Sequence, residues 1–386
     1  SNMKIIKRLG ILLTVICLCC PLRFISAKDS FFDGNPYVLY NCTDGYIESQ
    51  FRANEAIAPG TLTQWMSALL IIENTRHFDK SFTVQFEDES SQYAYGFLHG
   101  EKTTVQDALF AMLLCGSGDM TKAAARHMAG QETEFVRLMN KKAKSLGMND
   151  TSFVNAGGDD EAGQKTTLRD LSLLIHEVLQ NKTVQKIFSF DTYTFETNRQ
   201  KYTLYNKTCT SFGVQSQFDC FITEADDRLC VTGSFTYEGK TFLATSFGKT
   251  REDCIAMMTD CCQQIQENYK KLVPLTQDSV AAHTQLGYIF PKTIPVQIPS
   301  DISLVVRSSV TYEDLSYAFV PDHGALFILP GQSLGSIDIY QGNRRIKSEQ
   351  IRSKKLYVCR ELIILAAACV LTAVVWIWKK KTVRAD

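Results

Sequence analysis

The chain has 386 residues, 45% of them apolar and 21% charged, which is enough for two or three ordinary domains and too hydrophobic for a disordered polymer. Its 41 basic and 41 acidic side chains cancel only as a sum, because both ends are basic and the stretch from Lys28 to Tyr357 holds 32 basic against 39 acidic groups. An acidic body is a poor electrostatic match to polyphosphate, which sets nucleic-acid binding aside.

In chain order, Ser1-Asn2 before Met3 reads as a cloning remnant. Lys4, Lys7 and Arg8 then lead into an apolar run at 9–20 and on to Ile25-Ser26-Ala27. This is the order of a secretory signal, with cleavage expected before Lys28, so residues 1–27 are set apart from the fold. Residues 37–51 read as strand, turn, strand, with Asn41 to Gly45 supplying the turn chemistry. Leu62, Trp65, Met66, Leu69 and Leu70 then recur at helical spacing. Further helices are expected at 105–114, 121–129, 134–146 and 167–179. A second hairpin follows at 229–237 and 241–247, and a closing helix at 252–269. Strands at both ends with helices between predict an α+β domain over 28–273, one antiparallel sheet flanked by helices.

After Pro274 the helical stripe gives way to short alternation at Ile302, Leu304 and Val306 and again at Ile337 and Ile339, which predicts a small all-β domain over 274–358. The run from Leu362 to Trp378 has 17 uncharged residues and is followed by Lys379, Lys380, Lys381 and Arg384. Residues 359–386 are therefore expected to be a transmembrane helix with a basic cytoplasmic tail, leaving the body outside. Export permits disulfides. Beyond the signal and the anchor, eight cysteines remain: Cys42, Cys115, Cys209, Cys220, Cys230, Cys254, Cys261 and Cys262. The sequence does not fix their pairing, and buried free thiols are the equal alternative.

No zinc spacing or dinucleotide turn is present. Gly248-Lys249-Thr250 fails as a phosphate loop because Leu243 stands where the first glycine is needed. Neither a metal nor a cofactor is expected. Residues 97–109 (FLHGEKTTVQDAL) and 138–148 (LMNKKAKSLGM), with Thr151, Phe153, Asn155, Gly157 and Arg169-Asp170-Leu171, together resemble the penicillin-binding D-alanyl-D-alanine carboxypeptidases, which trim the peptidoglycan stem peptide. The resemblance covers nearly the whole body. It implies a β-lactamase-like catalytic domain, a β-sandwich stalk and a C-terminal membrane anchor.

That family works through Ser-x-x-Lys, Ser-x-Asn and Lys-Thr-Gly, and all three are altered here. The first falls on Thr61 to Gln64, where a glutamine amide cannot accept the nucleophile's proton. Thr-x-x-Gln is also a capping pattern, so Thr61 and Gln64 are expected to cap the helix that follows. The second motif places Gly116 and Gly118 where a hydroxyl and an amide belong, with Ser117-Gly118-Asp119 the alternative register. The third places Phe218, Asp219 and Cys220 at Lys-Thr-Gly, and a gap would move it to 215–217, which also lack lysine. The expectation is a membrane-anchored, extracytoplasmic pseudoenzyme with a binding or regulatory role, whose partner is the stem peptide or another envelope protein. The alternative is residual or altered hydrolysis. Cys115 and Cys220 are then the only unusual nucleophile candidates, or a disulfide closing the cleft.

Overall fold

The computed structural model describes residues 34–211, 218–226, 228–248, 250–322 and 324–382, so the expected signal sequence and the alternative third motif at 215–217 lie outside the described residues. The first hairpin forms as β1 (Tyr37–Asn41) and β2 (Tyr46–Phe51). It joins β3 (Cys209–Ser211), β4 (Phe218–Ala225), β5 (Arg228–Tyr237) and β6 (Lys240–Gly248) in one six-stranded sheet of order β2-β1-β6-β5-β4-β3. The β1–β2, β1–β6, β4–β5 and β3–β4 pairings are antiparallel.

The helical layer comprises α1 (Leu62–Asn74), α2 (Val105–Cys115), α3 (Gly118–Ala129), α4 (Glu132–Ser145), α5 (Leu168–Gln180) and α6 (Lys182–Phe188). The apolar stripe of α1 is wholly interior: Leu62, Trp65, Met66, Leu69 and Leu70 are all buried. The Trp65 ring meets Phe221 of β4 edge-on at 5.9 Å and Phe188 at 5.4 Å, which fixes the helix against the sheet. On the sheet's other face lies α7 (Arg251–Asn268). A Cβ on Gly233 of β5 would collide with Met258 of α7, so only glycine lets the helix rest on the strand there.

The contacts divide the chain into two units, 34–235 with 242–261 and 236–241 with 262–382, the change falling inside α7 between Cys261 and Cys262. Pro274, the expected boundary, lies within a strand of the second unit.

Beyond α7, the strands of that unit are β7 (Tyr269–Leu275), β8 (Val280–Leu286), β9 (Lys292–Gln297), β10 (Ile302–Arg307), β11 (Leu315–Pro321), β12 (Phe327–Ile328), β13 (Ser333–Gln341), β14 (Arg344–Arg352) and β15 (Tyr357–Val358). They form β7–β10, β8–β9 and β12–β15 pairs and a β11-β13-β14 sheet. The alternation read at Ile302, Leu304 and Val306 is realised as alternate burial, and Ile337 and Ile339 join the same core.

After β15 comes α8 (Arg360–Thr382). Within Arg360–Lys380 the most apolar 18-residue window has a mean hydropathy of 2.3 and none of it is buried, so the helix is long and apolar enough to cross a membrane. Near its end the Lys380 ammonium sits 4.6 Å above the Trp376 ring.

Candidate functional site

Four backbone segments converge at the start of α1. Thr61 donates its backbone N–H to Glu224 O at 2.8 Å, while its hydroxyl accepts from Glu224 N at 3.0 Å and donates to Glu224 O at 3.2 Å. This approach of β4 depends on Gly60, which has φ +53° and whose added Cβ would fall on the Glu224 carbonyl. Gly116 ends α2 in the left-handed region at φ +67°, facing the Thr61 methyl, where an added Cβ would lie 3.3 Å away. The fourth segment, at 157–158, closes the back of the site.

The expected capping role of Thr61 and Gln64 is not what forms. Thr61 has helical dihedrals (φ −65°, ψ −15°) and makes no side-chain cap, because the extended geometry that aims an N-cap oxygen at the next turn is absent. Gln64 is fully buried and points inward, its Nε2 donating to Gly116 O at 3.0 Å and Gly157 O at 2.9 Å. Both amide hydrogens are thus used as a clamp between two loops, and the orientation of the amide is fixed by its two carbonyl acceptors. Replacing Gln64 by Ala is expected to lower stability by about 1–3 kcal/mol through these orphaned carbonyls. A denaturation midpoint within error of the native chain would show that the clamp contributes nothing.

Gly118 opens α3, and the space a side chain would need is filled: an added Cβ would lie 2.5 Å from Ser90 Oγ and 3.1 Å from Gly157 O. Ser90 is itself committed, donating to Asp159 Oδ1 at 2.7 Å and accepting from Tyr93 N at 3.1 Å. In the alternative register, Ser117 caps α3 through Met120 N, and Asp119 is a structural carboxylate. Asp119 Oδ2 accepts from the backbone N–H groups of Tyr95, Gly96 and Phe97 at 2.9–3.1 Å.

The third set lies elsewhere. In the register of β4, Phe218, Asp219 and Cys220 pair with Phe235, Ser234 and Gly233. Cys220 is therefore four residues, roughly 14 Å of strand, from the Glu224 that meets Thr61. Cys220 is buried and disulfide-bonded, whereas Cys115 is free. A Cys115–Cys220 bond across the cleft is thus overturned. Cys115 donates to Tyr205 O at 3.4 Å, and burial pushes its thiol above the ordinary value despite the opposing pull of Lys207. A raised thiol is a poor nucleophile at neutral pH. His127 offers it no base, being exposed and stacked on Phe82 at 5.1 Å.

What these elements leave open is a cleft of about 320 Å³ lined by Thr61, Cys115, Gly116, Lys207 and Glu224 among others. Lys207 carries no motif in the sequence, yet its backbone N–H is tied to Leu114 O at 2.9 Å, which holds it at the rim. Among the described residues its ammonium makes no ion pair, and with Glu224 it gives the cleft lining one cationic and one anionic residue. Among the described residues no group of three or more His, Cys, Asp or Glu side chains is placed to hold a metal ion.

The architecture is that of the penicillin-binding proteins. A peptidoglycan synthesis regulatory factor (PBP3) from Streptococcus pneumoniae aligns with a TM-score of 0.63 at 15% identity, over 84% of this chain and 99% of its own. Penicillin binding protein 5 from Haemophilus influenzae aligns at 0.55 and 16% identity, over 83% and 97%. The D-alanyl-D-alanine carboxypeptidase family model matches residues 26–226, just over half of the sequence, and the chain belongs to that family. Among its relatives, D-alanyl-D-alanine carboxypeptidase DacF of Bacillus subtilis is 25% identical over 82% of this chain and 84% of its own. DacC of Escherichia coli is 27% identical over 44% of this chain and 45% of its own.

Proposed function

We propose that this chain is a membrane-anchored, extracytoplasmic member of the carboxypeptidase family that binds the carboxylate end of a stem peptide without hydrolysing it. The observation that carries this reading is Gln64. Acyl transfer needs a base beside the hydroxyl, and the side chain one turn after Thr61 is an amide whose hydrogens are both given to backbone carbonyls. Among the described residues no carboxylate, imidazole or amine is hydrogen-bonded to the Thr61 hydroxyl, which instead bridges the backbone of Glu224. Binding is favoured over an inert relic because the cleft remains open and Lys207 supplies the charge that a terminal carboxylate would seek. The α8 helix serves as the anchor, with the basic tail inside.

The test is calorimetric titration of the purified chain with a peptide ending in D-Ala-D-Ala, assayed in parallel for released D-alanine. Saturable binding without release is expected. Lys207→Glu should weaken it by about tenfold or more, since a hydrogen bond to a charged group contributes roughly 1.5–3 kcal/mol. Turnover by the native chain would favour residual hydrolysis, and absence of any binding would move the partner from peptide to protein.

A further inference from the structure

The turn between β8 and β9 is built from Tyr288, Ile289 and Phe290, where a water-facing turn would be expected to carry small polar residues. These side chains are 68%, 73% and 52% exposed. Leu326 and Phe327, on the neighbouring segment, are also exposed. Five large apolar side chains on one end of a small β-domain form a patch of the kind that marks a contact surface.

The patch is held to the first turn of α8. Glu361 Oε1 accepts from the backbone N–H groups of Tyr288, Ile289 and Phe290 at 2.8, 2.6 and 2.8 Å. Gly287 makes room for this carboxylate, since an added Cβ would lie 2.5 Å from Glu361 Oε2. Gly287 N donates to Ala325 O, the Tyr288 hydroxyl to Gly324 O, and Cys359 N to Leu326 O, which ties the turn, the 324–327 segment and the helix start into one platform.

Depth follows from helix geometry. At 1.5 Å per residue the 17 uncharged residues from Leu362 to Trp378 extend roughly 26 Å, slightly less than the hydrocarbon core, so none of that run can be spared to stand clear of the bilayer and Glu361 falls at its edge. A turn bonded to the second residue of that helix therefore lies at the headgroup boundary. Aromatic and long aliphatic side chains are stabilised at that depth.

We propose that Tyr288, Ile289 and Phe290, with Leu326 and Phe327, form a lipid-interface site that seats the β-domain in the outer headgroup layer at the foot of α8. This rests on α8 being the membrane anchor. The test uses the full chain reconstituted in vesicles of phosphatidylethanolamine and phosphatidylglycerol, with the photo-crosslinking residue p-benzoylphenylalanine placed at Ile289, at Leu365 inside α8, or at Val280 at the far end of β8. Irradiated protein is read by intact mass. Lipid adducts at position 289 should approach the yield at 365 and exceed that at 280 by about tenfold. Adducts at 365 with none above the 280 level at 289 would overturn the interface site and leave the anchor standing. No lipid adduct at 365 would remove the anchor and the inference together. Crosslinks from 289 to a second copy of the chain, in place of lipid, would overturn it in favour of self-association.

Discussion

Replacing Asp119 by Ala is expected to lower the stability of the cleft-bearing unit by about 3–5 kcal/mol, among the largest effects of any single substitution outside its apolar core. The carboxylate is buried and accepts the backbone N–H groups of Tyr95, Gly96 and Phe97, with Met120 N and the Ser117 hydroxyl on its other oxygen. Alanine removes a charged acceptor shared by three successive amides that water reaches poorly. It also releases Tyr95, which with Gln92, Tyr93 and Ala94 walls the cleft. Asp119→Asn keeps one acceptor and should lose about half as much. Urea denaturation of the detergent-solubilised chain, followed by fluorescence, reads both. A loss under about 1 kcal/mol for alanine would mean that the three amides find other partners.

The second large effect is expected at Gly118. Placing an asparagine there, as the expected register of the second motif would have it, is expected to cost about 2–4 kcal/mol, because overpacking is added to the loss of a buried polar network. The incoming Cβ meets Ser90 Oγ at 2.5 Å and the Gly157 carbonyl at 3.1 Å, and Ser90 cannot retreat without breaking its bonds to Asp159 and Tyr93. Ser90→Gly combined with Gly118→Asn should recover part of the loss, since one of the two obstacles is then gone. An asparagine tolerated at full stability with Ser90 in place would show that the loop at 90–93 yields freely. The space around Gly118 is thus filled by its neighbours as well as lacking a side chain of its own.

The stripe from Leu62 to Leu70 was legible because burial on one broad face leaves a period that needs no tertiary knowledge. The start of α3 was not: glycine is a poor helix former, yet Ser117, between Gly116 and Gly118, caps the helix, which begins three residues before the expected 121. The hairpin Thr192–Glu196 and Lys201–Tyr205 went unread, although Tyr193, Phe195, Tyr202 and Leu204 alternate on either side of a polar turn and would have signalled it.

At the site, the Thr-x-x-Gln spacing suggested a cap that the same spacing supplies elsewhere. Thr104 and Asp107 form a true capping box at the start of α2, with Thr104 extended at φ −111°, ψ 163°. What separates the two is the backbone before the helix, pulled at Thr61 into helical dihedrals by its bonds to β4, and a spacing cannot report that. Lys207 was equally invisible. A single lysine in a strand-rich stretch gains meaning only when folding brings it to the cleft that Thr61 also lines.

Covalent capture of a fluorescent penicillin, read by intact mass, tests the central claim most directly. It is run on the native chain and on Thr61→Ser/Gln64→Lys. The groups of such a site act as a unit, so the variant's serine and lysine would still lack the relay that Gly116 and Gly118 do not supply. No adduct is expected on either protein. One penicillin added to the native chain, mapped to Thr61, would contradict the account.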